Sequence, residues 1–171
     1  MSIREAFDPE RAAVRWYFRE SAHEALPEIC IEALEHGYDG PILRRLAGLV
    51  KPTSRDIAET QIDGAFREMG VRAPVSERDC QLYLALETAQ AAVAGIVNPF
   101  NAATHVRIYI CRLKQEPTEL SELVRLSEES EHAPRWKWGR LEKKIRLALE
   151  NLARGDLKPR LTIPGLREPA T

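Results

Sequence analysis

Two pairs of side chains have the spacing that metal chemistry uses. Glu20-x-x-His23 and Glu129-x-x-His132 each set a carboxylate and an imidazole three residues apart. On a helix, that spacing puts both groups on one face, as in carboxylate-bridged di-iron bundles. Such a centre also needs an inward-facing Glu from each of two further helices. Both pairs here lie beside breakers or polar turns rather than inside an apolar stripe. With 26 acidic residues in the chain, such pairs arise by chance. They read as solvated helix ends, so no metal and no cofactor is expected.

Nucleophilic chemistry fares no better. Cys30, Cys80 and Cys111 are far apart, and none belongs to a C-x-x-C pair. Each sits among apolar neighbours, in "EICIEAL", "RDCQLYL" and "IYICRL". That setting suits small buried hydrophobes. An active thiol needs an adjacent base, and no base is close in sequence. There is no Gly-rich phosphate loop, G-x-S-x-G elbow or H-E-x-x-H. The chain therefore reads as a protein that is not an enzyme.

Binding chemistry has two candidate seats. Residues 29–48, "ICIEALEHGYDGPILRRLAG", resemble a helix-turn-helix, with Ala33, Gly37, Leu43 and Leu46 at its small, turn and buried positions. Its second helix offers Arg44 and Arg45 to a groove. Against this, Glu32 and His36 occupy positions the motif usually fills with apolar side chains. Glu28, Glu32, Glu35 and Asp39 would also face phosphate.

The second seat is a charge contrast. Residues 116–131 hold six Glu and one Arg, net −5, whereas residues 134–160 hold nine Lys or Arg and three acids, net +6. The basic segment carries Trp136, Arg140, Lys143, Lys144 and Arg154. A basic helix bearing tryptophan suits RNA, an acidic protein or a membrane surface. The plainer expectation is that the two segments form adjacent helices whose opposite charges meet at the surface. Each such pair would be worth about 0.2–1 kcal/mol.

The elements that position these residues are marked by Pro and Gly. Asp8-Pro9 starts a first helix with an N-cap and Pro at its first position. Pro27 opens a second helix, which Gly37 closes, and Pro41 opens a short third. The fourth follows Thr53 or Ser54, spaces Ile57, Ile62, Ala65, Phe66 and Met69 helically, and ends at Gly70. The fifth, "ERDCQLYLALETAQAAVAG", is apolar on most sides and belongs at the centre. Asn98-Pro99 interrupts the most apolar stretch and reads as a tight corner into a sixth helix, whose Val106, Ile108, Tyr109, Ile110 and Leu113 are expected to be buried. A seventh helix runs from about Pro117 to Ser130 and an eighth from Pro134 to about Arg154, with Trp138, Leu141, Ile145, Ala148, Leu149 and Leu152 along one side. The last sixteen residues, "DLKPRLTIPGLREPAT", hold three prolines and read as an extended arm, in which "LTI" has no strand partner.

The fold expected is all-α: one domain of seven or eight helices over residues 1–155, with short Pro/Gly corners. Residues 156–171 form an extended or disordered tail. At 171 residues, 44% hydrophobic and 30% charged, the chain suits a soluble domain with a core. A net charge of −1 gives no global pull toward nucleic acid or anionic lipid. The start "MSIREAFDPERAA" lacks the apolar stretch of a signal peptide, and no window suits a membrane span. A cytoplasmic location, without membrane association, is expected.

The stretches "WYFRESAHEALPEICIEALEHGYDGPILRRLAG", "FREMGV" and "AVAGIVNPFNAATHVRIYI" resemble a group of small, uncharacterised all-helical bacterial proteins, over most of residues 12–113. The resemblance implies a helix-corner motif at Gly95 and Pro99, with Asn98 and Asn101 standing where the group is expected to have an acidic residue and a glycine. It bears on fold rather than role. The function expected is a cytoplasmic bacterial protein-interaction module, immunity- or antitoxin-like, acting by surface binding on a protein partner. The alternative is nucleic-acid binding through residues 29–48 or the basic helix 134–155. The sequence names neither the partner nor the oligomeric state.

Overall fold

The computed structural model describes residues 7–18, 26–49, 55–73, 75–111, 118–155, 159 and 161. Every regular element among them is helical, so the fold is all-α. Contacts divide the chain into two compact units, Met1–Ser76 with Arg160–Thr171, and Glu77–Pro159.

The first unit is built from α1 (Pro9–Phe18), α2 (Leu26–Glu35), α3 (Pro41–Ala47) and α4 (Arg55–Glu68). Asp8 caps α1, its Oδ1 accepting the backbone N–H of Glu10 at 2.9 Å and of Arg11 at 3.2 Å. Gly37 ends α2 at φ +87°, in the left-handed region that favours glycine. The N–H of Tyr38 then reaches back to the carbonyl of Ala33 at 3.1 Å. The core holds Leu26, Leu43, Leu46, Ala65 and Phe66, all at most 1% exposed. Ile57 is an exception to the helical spacing expected of α4, being 37% exposed.

α3 is too short to be stable alone, and its start is held from α4. The Glu68 carboxylate accepts the N–H of Ile42 at 3.1 Å and of Leu43 at 2.8 Å. Leu161 is buried, and its carbonyl accepts the N–H of Arg72 at 2.6 Å. Leu161 of "LTI" thus has a backbone partner, while Thr162 and Ile163 lie outside the described residues. The bond forms because the chain just past α4 is non-helical and has an N–H to donate.

The second unit is built from α5 (Glu77–Val93), α6 (Pro99–Cys111), α7 (Ser121–His132) and α8 (Trp138–Arg154). α5 packs on α6 and α8, and α7 packs on the same two helices. Their shared core joins Ala85 and Ala89 to Ala102, Val106, Leu126 and Ile145. Alanines supply much of this core where α5 meets α6: Ala85, Ala89, Ala102 and Ala103.

The Asn98-Pro99 corner is as read from sequence. Gly95 ends α5 at φ +76°, and Ile96 N–H returns to Ala91 at 2.9 Å. Asn98 Oδ1 accepts the N–H of Phe100 at 2.9 Å, and Pro99 takes the first helical position. α6 is less buried than expected: Ile108 is 46% exposed and Tyr109 half-buried. Its buried side runs through Ala102, Ala103 and Val106, and Ile108 lies about 200° around the helix from Val106. The side chains of Ile110 and Cys111, and Leu113 altogether, lie outside the described residues.

Phe100 is half-buried against the core, its ring 6.0 Å from that of Trp138. Phe100→Ala should cost about 2 kcal/mol, less than the roughly 3–5 of a fully buried ring. Pro99→Ala should cost no more than about 1 kcal/mol, because the first helical position tolerates many residues. Urea melts of both variants check this, and a Phe100 variant as stable as the parent would remove the corner as a core anchor.

Candidate interaction surface

The surface begins where α7 stops. Ala133 and Pro134 are extended, with ψ of 133° and 151°, and break the helix. Arg135–Lys137 then make one 3-10 turn, and α8 starts at Trp138 rather than at Pro134. A 3-10 turn likewise precedes α7, over Thr118–Leu120.

The two tryptophans at this junction do different work. Trp138, expected on the packed side of α8, is 46% exposed but anchored: its ring meets Phe100, and its Nε1–H donates to the carbonyl of Ala133 at 3.0 Å. Trp136 is 79% exposed, and the contact on its ring is Lys137 Nζ, 5.0 Å from the centroid.

α8 separates cleanly into two faces. Leu141, Ile145, Leu149 and Leu152 are buried. Arg140, Lys143, Lys144 and Arg154 are exposed, as their spacing requires. Arg154 leans toward Glu150 in its own helix at 3.7 Å, and Arg146 pairs with Glu142 at 2.8 Å. Arg140, Lys143 and Lys144 have no carboxylate in ion-pair range among the described residues. Leu147 stands among them, 59% exposed. Sequence reading did not single it out, although its absence from the apolar stripe was a usable signal.

Among the described residues the expected meeting of acidic and basic helices does not occur. Glu131 of α7 pairs with Arg107 of α6, Glu129 with Arg125 of its own helix, and Glu119 before α7 with Arg78 of α5. Among the described residues no ion pair joins α7 to α8. The core side of each helix is apolar, with Leu123 and Leu126 in one cluster with Ile145 and Leu149. Their charges point elsewhere. Arg107 holds the Glu131 carboxyl below its ordinary value, chiefly through their hydrogen bond. What this pair contributes is present above the ordinary carboxylate range and fades as pH falls through the lowered value.

The helix-turn-helix-like segment has its small, turn and apolar positions where expected, with Ala33, Leu43 and Leu46 fully buried. Its cations are less available. Arg44 grips Asp39 through two bonds, Nε to Oδ1 at 2.7 Å and a terminal nitrogen to Oδ2 at 2.5 Å. Arg45 is exposed, as are Glu28, Glu32 and Glu35 of the preceding helix.

The remaining chemistry is quiet. Burial pushes the Cys30 thiol up to about 12, with Glu68 adding to it. Burial does the same for Cys80, again to about 12, helped by Asp79 and Glu77. Glu20 and His23 lie outside the described residues, and Glu129 and His132 are exposed. Among the described residues no group of three His, Cys, Asp or Glu is placed to hold a metal ion. No described helix is long and apolar enough to cross a membrane. A cleft lined by Val93, Pro99, Arg146 and Glu150 holds roughly 40 Å³, room for a few waters rather than a metabolite. Gln81 and Ser127 are fully buried without hydrogen-bond partners, which their sequence settings did not signal.

The chain has no match among the family models, the curated proteins or the solved structures.

The thiols give a direct check. With burial holding both thiols up to about 12, Cys30 and Cys80 stay protonated at pH 8. In a Cys111→Ser background, a thiol reagent at pH 8 should label both only as denaturant unfolds the chain. Fast labelling of either in the native protein would revive a nucleophilic role.

Proposed function

We propose that the chain is a protein-interaction module that works by surface binding and not by catalysis. Its contact surface is the turn at Arg135–Lys137 with the outer face of α8. Trp136 carries this reading. A tryptophan 79% exposed on a hydrogen-bonded turn is unfavourable in water and well suited to a partner's pocket. Arg140, Lys143, Lys144 and Arg154, exposed along the α8 that follows it, favour an acidic partner and fast encounter. An immunity- or antitoxin-like role in a bacterial cytoplasm fits a small binding module of this kind.

Nucleic acid is the second reading, because α7 leaves the cations of α8 unneutralised. It is the weaker one. Glu122, Glu128 and Glu129 are exposed on α7, which packs against α8, and they repel a phosphate backbone. Arg44, held by Asp39, weakens the route through residues 29–48.

Co-purification from the native host tests the proposal, with the parent chain and Trp136→Ala compared side by side. A protein retained by the parent and lost with the variant is expected. Retention of nuclease-sensitive material would favour nucleic acid, and identical recoveries from both chains would refute a Trp136-centred surface.

A further inference from the structure

We infer that the outer face of α8 docks an acidic amphipathic helix of the partner protein, an inference that rests on the interaction-module reading above. Arg140, Lys143 or Lys144, Leu147, Asn151 and Arg154 follow one another at steps of three and four residues, the two lysines being neighbours in the chain, and all are exposed. They form a straight stripe along the helix, about 21 Å from Arg140 to Arg154 at 1.5 Å per residue. Leu147 sits midway, 59% exposed, one turn from Lys143 and Lys144 on one side and from Asn151 on the other. An apolar side chain with two lysines a turn before it and polar residues a turn after it is the pattern of an anchor within a polar rim.

A linear stripe with helical spacing is best complemented by an element of the same rise. Carboxylates recurring at three and four residues on a partner helix reach Arg140, Lys143, Lys144 and Arg154 in register. An apolar residue between them covers Leu147. Helix recognition commonly uses this arrangement of anchors.

Two other occupants fit less well. A nucleic-acid strand would neutralise the cations but leave Leu147 facing its charged backbone. A second copy of this chain would bring its own acidic α7, yet Arg125 stands in the middle of that helix's exposed side, exposed between Glu122 and Glu128. It would oppose the basic stripe.

The test uses the full chain and a fluorescein-labelled 21-residue peptide in which Leu and Glu repeat with helical spacing. Fluorescence anisotropy should show saturable binding. Leu147→Ser and the pair Lys143→Gln with Lys144→Gln should each weaken it by about tenfold or more, as expected when a central anchor or two complementary charges are lost. Both variants should melt like the parent, because the altered side chains are exposed. A peptide of the same composition with its periodicity scrambled should bind about tenfold more weakly.

Absence of peptide binding would overturn the inference, as would insensitivity to Leu147→Ser. So would tighter binding of a 20-residue oligo-dT, or self-association in sedimentation that the same substitutions abolish. Failure here, together with a protein still retained in a Trp136-dependent manner, would refute the helix and leave the module. Loss of Trp136 dependence would refute the module itself.

Discussion

Gly40→Ala is expected to destabilise the first unit by about 2–3 kcal/mol, the cost of stripping charge-assisted hydrogen bonds from partly buried donors. The backbone is not the reason. Gly40 has φ 179°, extended and open to any residue. The reason is space. A Cβ at Gly40 would lie 2.2 Å from Oε2 of Glu68 and 2.3 Å from its carboxyl carbon. Non-bonded heavy atoms do not approach so closely, so the Glu68 side chain must shift from its place. It is the group that receives the N–H of Ile42 and Leu43 at the start of α3. Gly40 offers no side-chain cap of its own. A seven-residue helix has little cooperativity to hold its first turn once those acceptors go.

A double-mutant cycle isolates this mechanism. Glu68→Ala removes the same two bonds by another route. If crowding of the carboxylate is the whole effect, the double variant should be no less stable than Glu68→Ala alone, within about 0.5 kcal/mol. Urea melts followed by helicity measure all four corners. Simple additivity would mean that Gly40 matters for some other reason. A neutral Gly40→Ala would mean that the cap is not maintained in solution.

The same residues show what a sequence discloses and what it withholds. The cap at Asp8, the Asn98-Pro99 corner and the turns at Gly37, Gly70 and Gly95 were legible, because each is settled within a few residues. The apolar stripe of α8 was legible too, since one helix with one buried side leaves a clear period. Glu68 capping α3 was not, because donor and acceptor lie 25 and 26 residues apart and no local pattern links them. Net charge misled for α7 and α8. It counts charges per segment and is silent on which sides meet, and the meeting sides are leucine and isoleucine. Ile108 misled in the same way: an apolar run of helix need not be buried on every side. On the candidate surface, the exposed cations were readable from their offset to the stripe. Sequence spacing set Trp138 on the packed side and Trp136 among the binding residues, but what holds Trp138 was not readable, because it depends on Phe100, in another helix, and on a turn that the sequence reading took as the start of α8.

Phe66→Ala is expected to cost about 3–5 kcal/mol, the largest effect of any change considered. Phe66 is 1% exposed and sits in the last turns of α4, in one core cluster with Leu26, Leu43 and Leu46 from α2 and α3. Its carbonyl also accepts the N–H of Val71 at 2.8 Å, which closes the turn after α4. Truncation leaves a cavity walled by helices that are already pinned. α3 is fixed at its start by Glu68, and Ile42 is fitted over Gly64, where a Cβ would come within 2.5 Å of its Cδ1. Little collapse is available, and cost rises with the volume left unfilled. Phe66→Leu refills most of that volume and should recover more than half of the loss. Trp16 packs against this core and reports its melting through fluorescence, in a Trp136→Phe, Trp138→Phe background that silences the second unit. A loss below about 1 kcal/mol for Phe66→Ala would mean that α2, α3 and α4 close over the cavity, and that the ring is less of an anchor than its burial indicates.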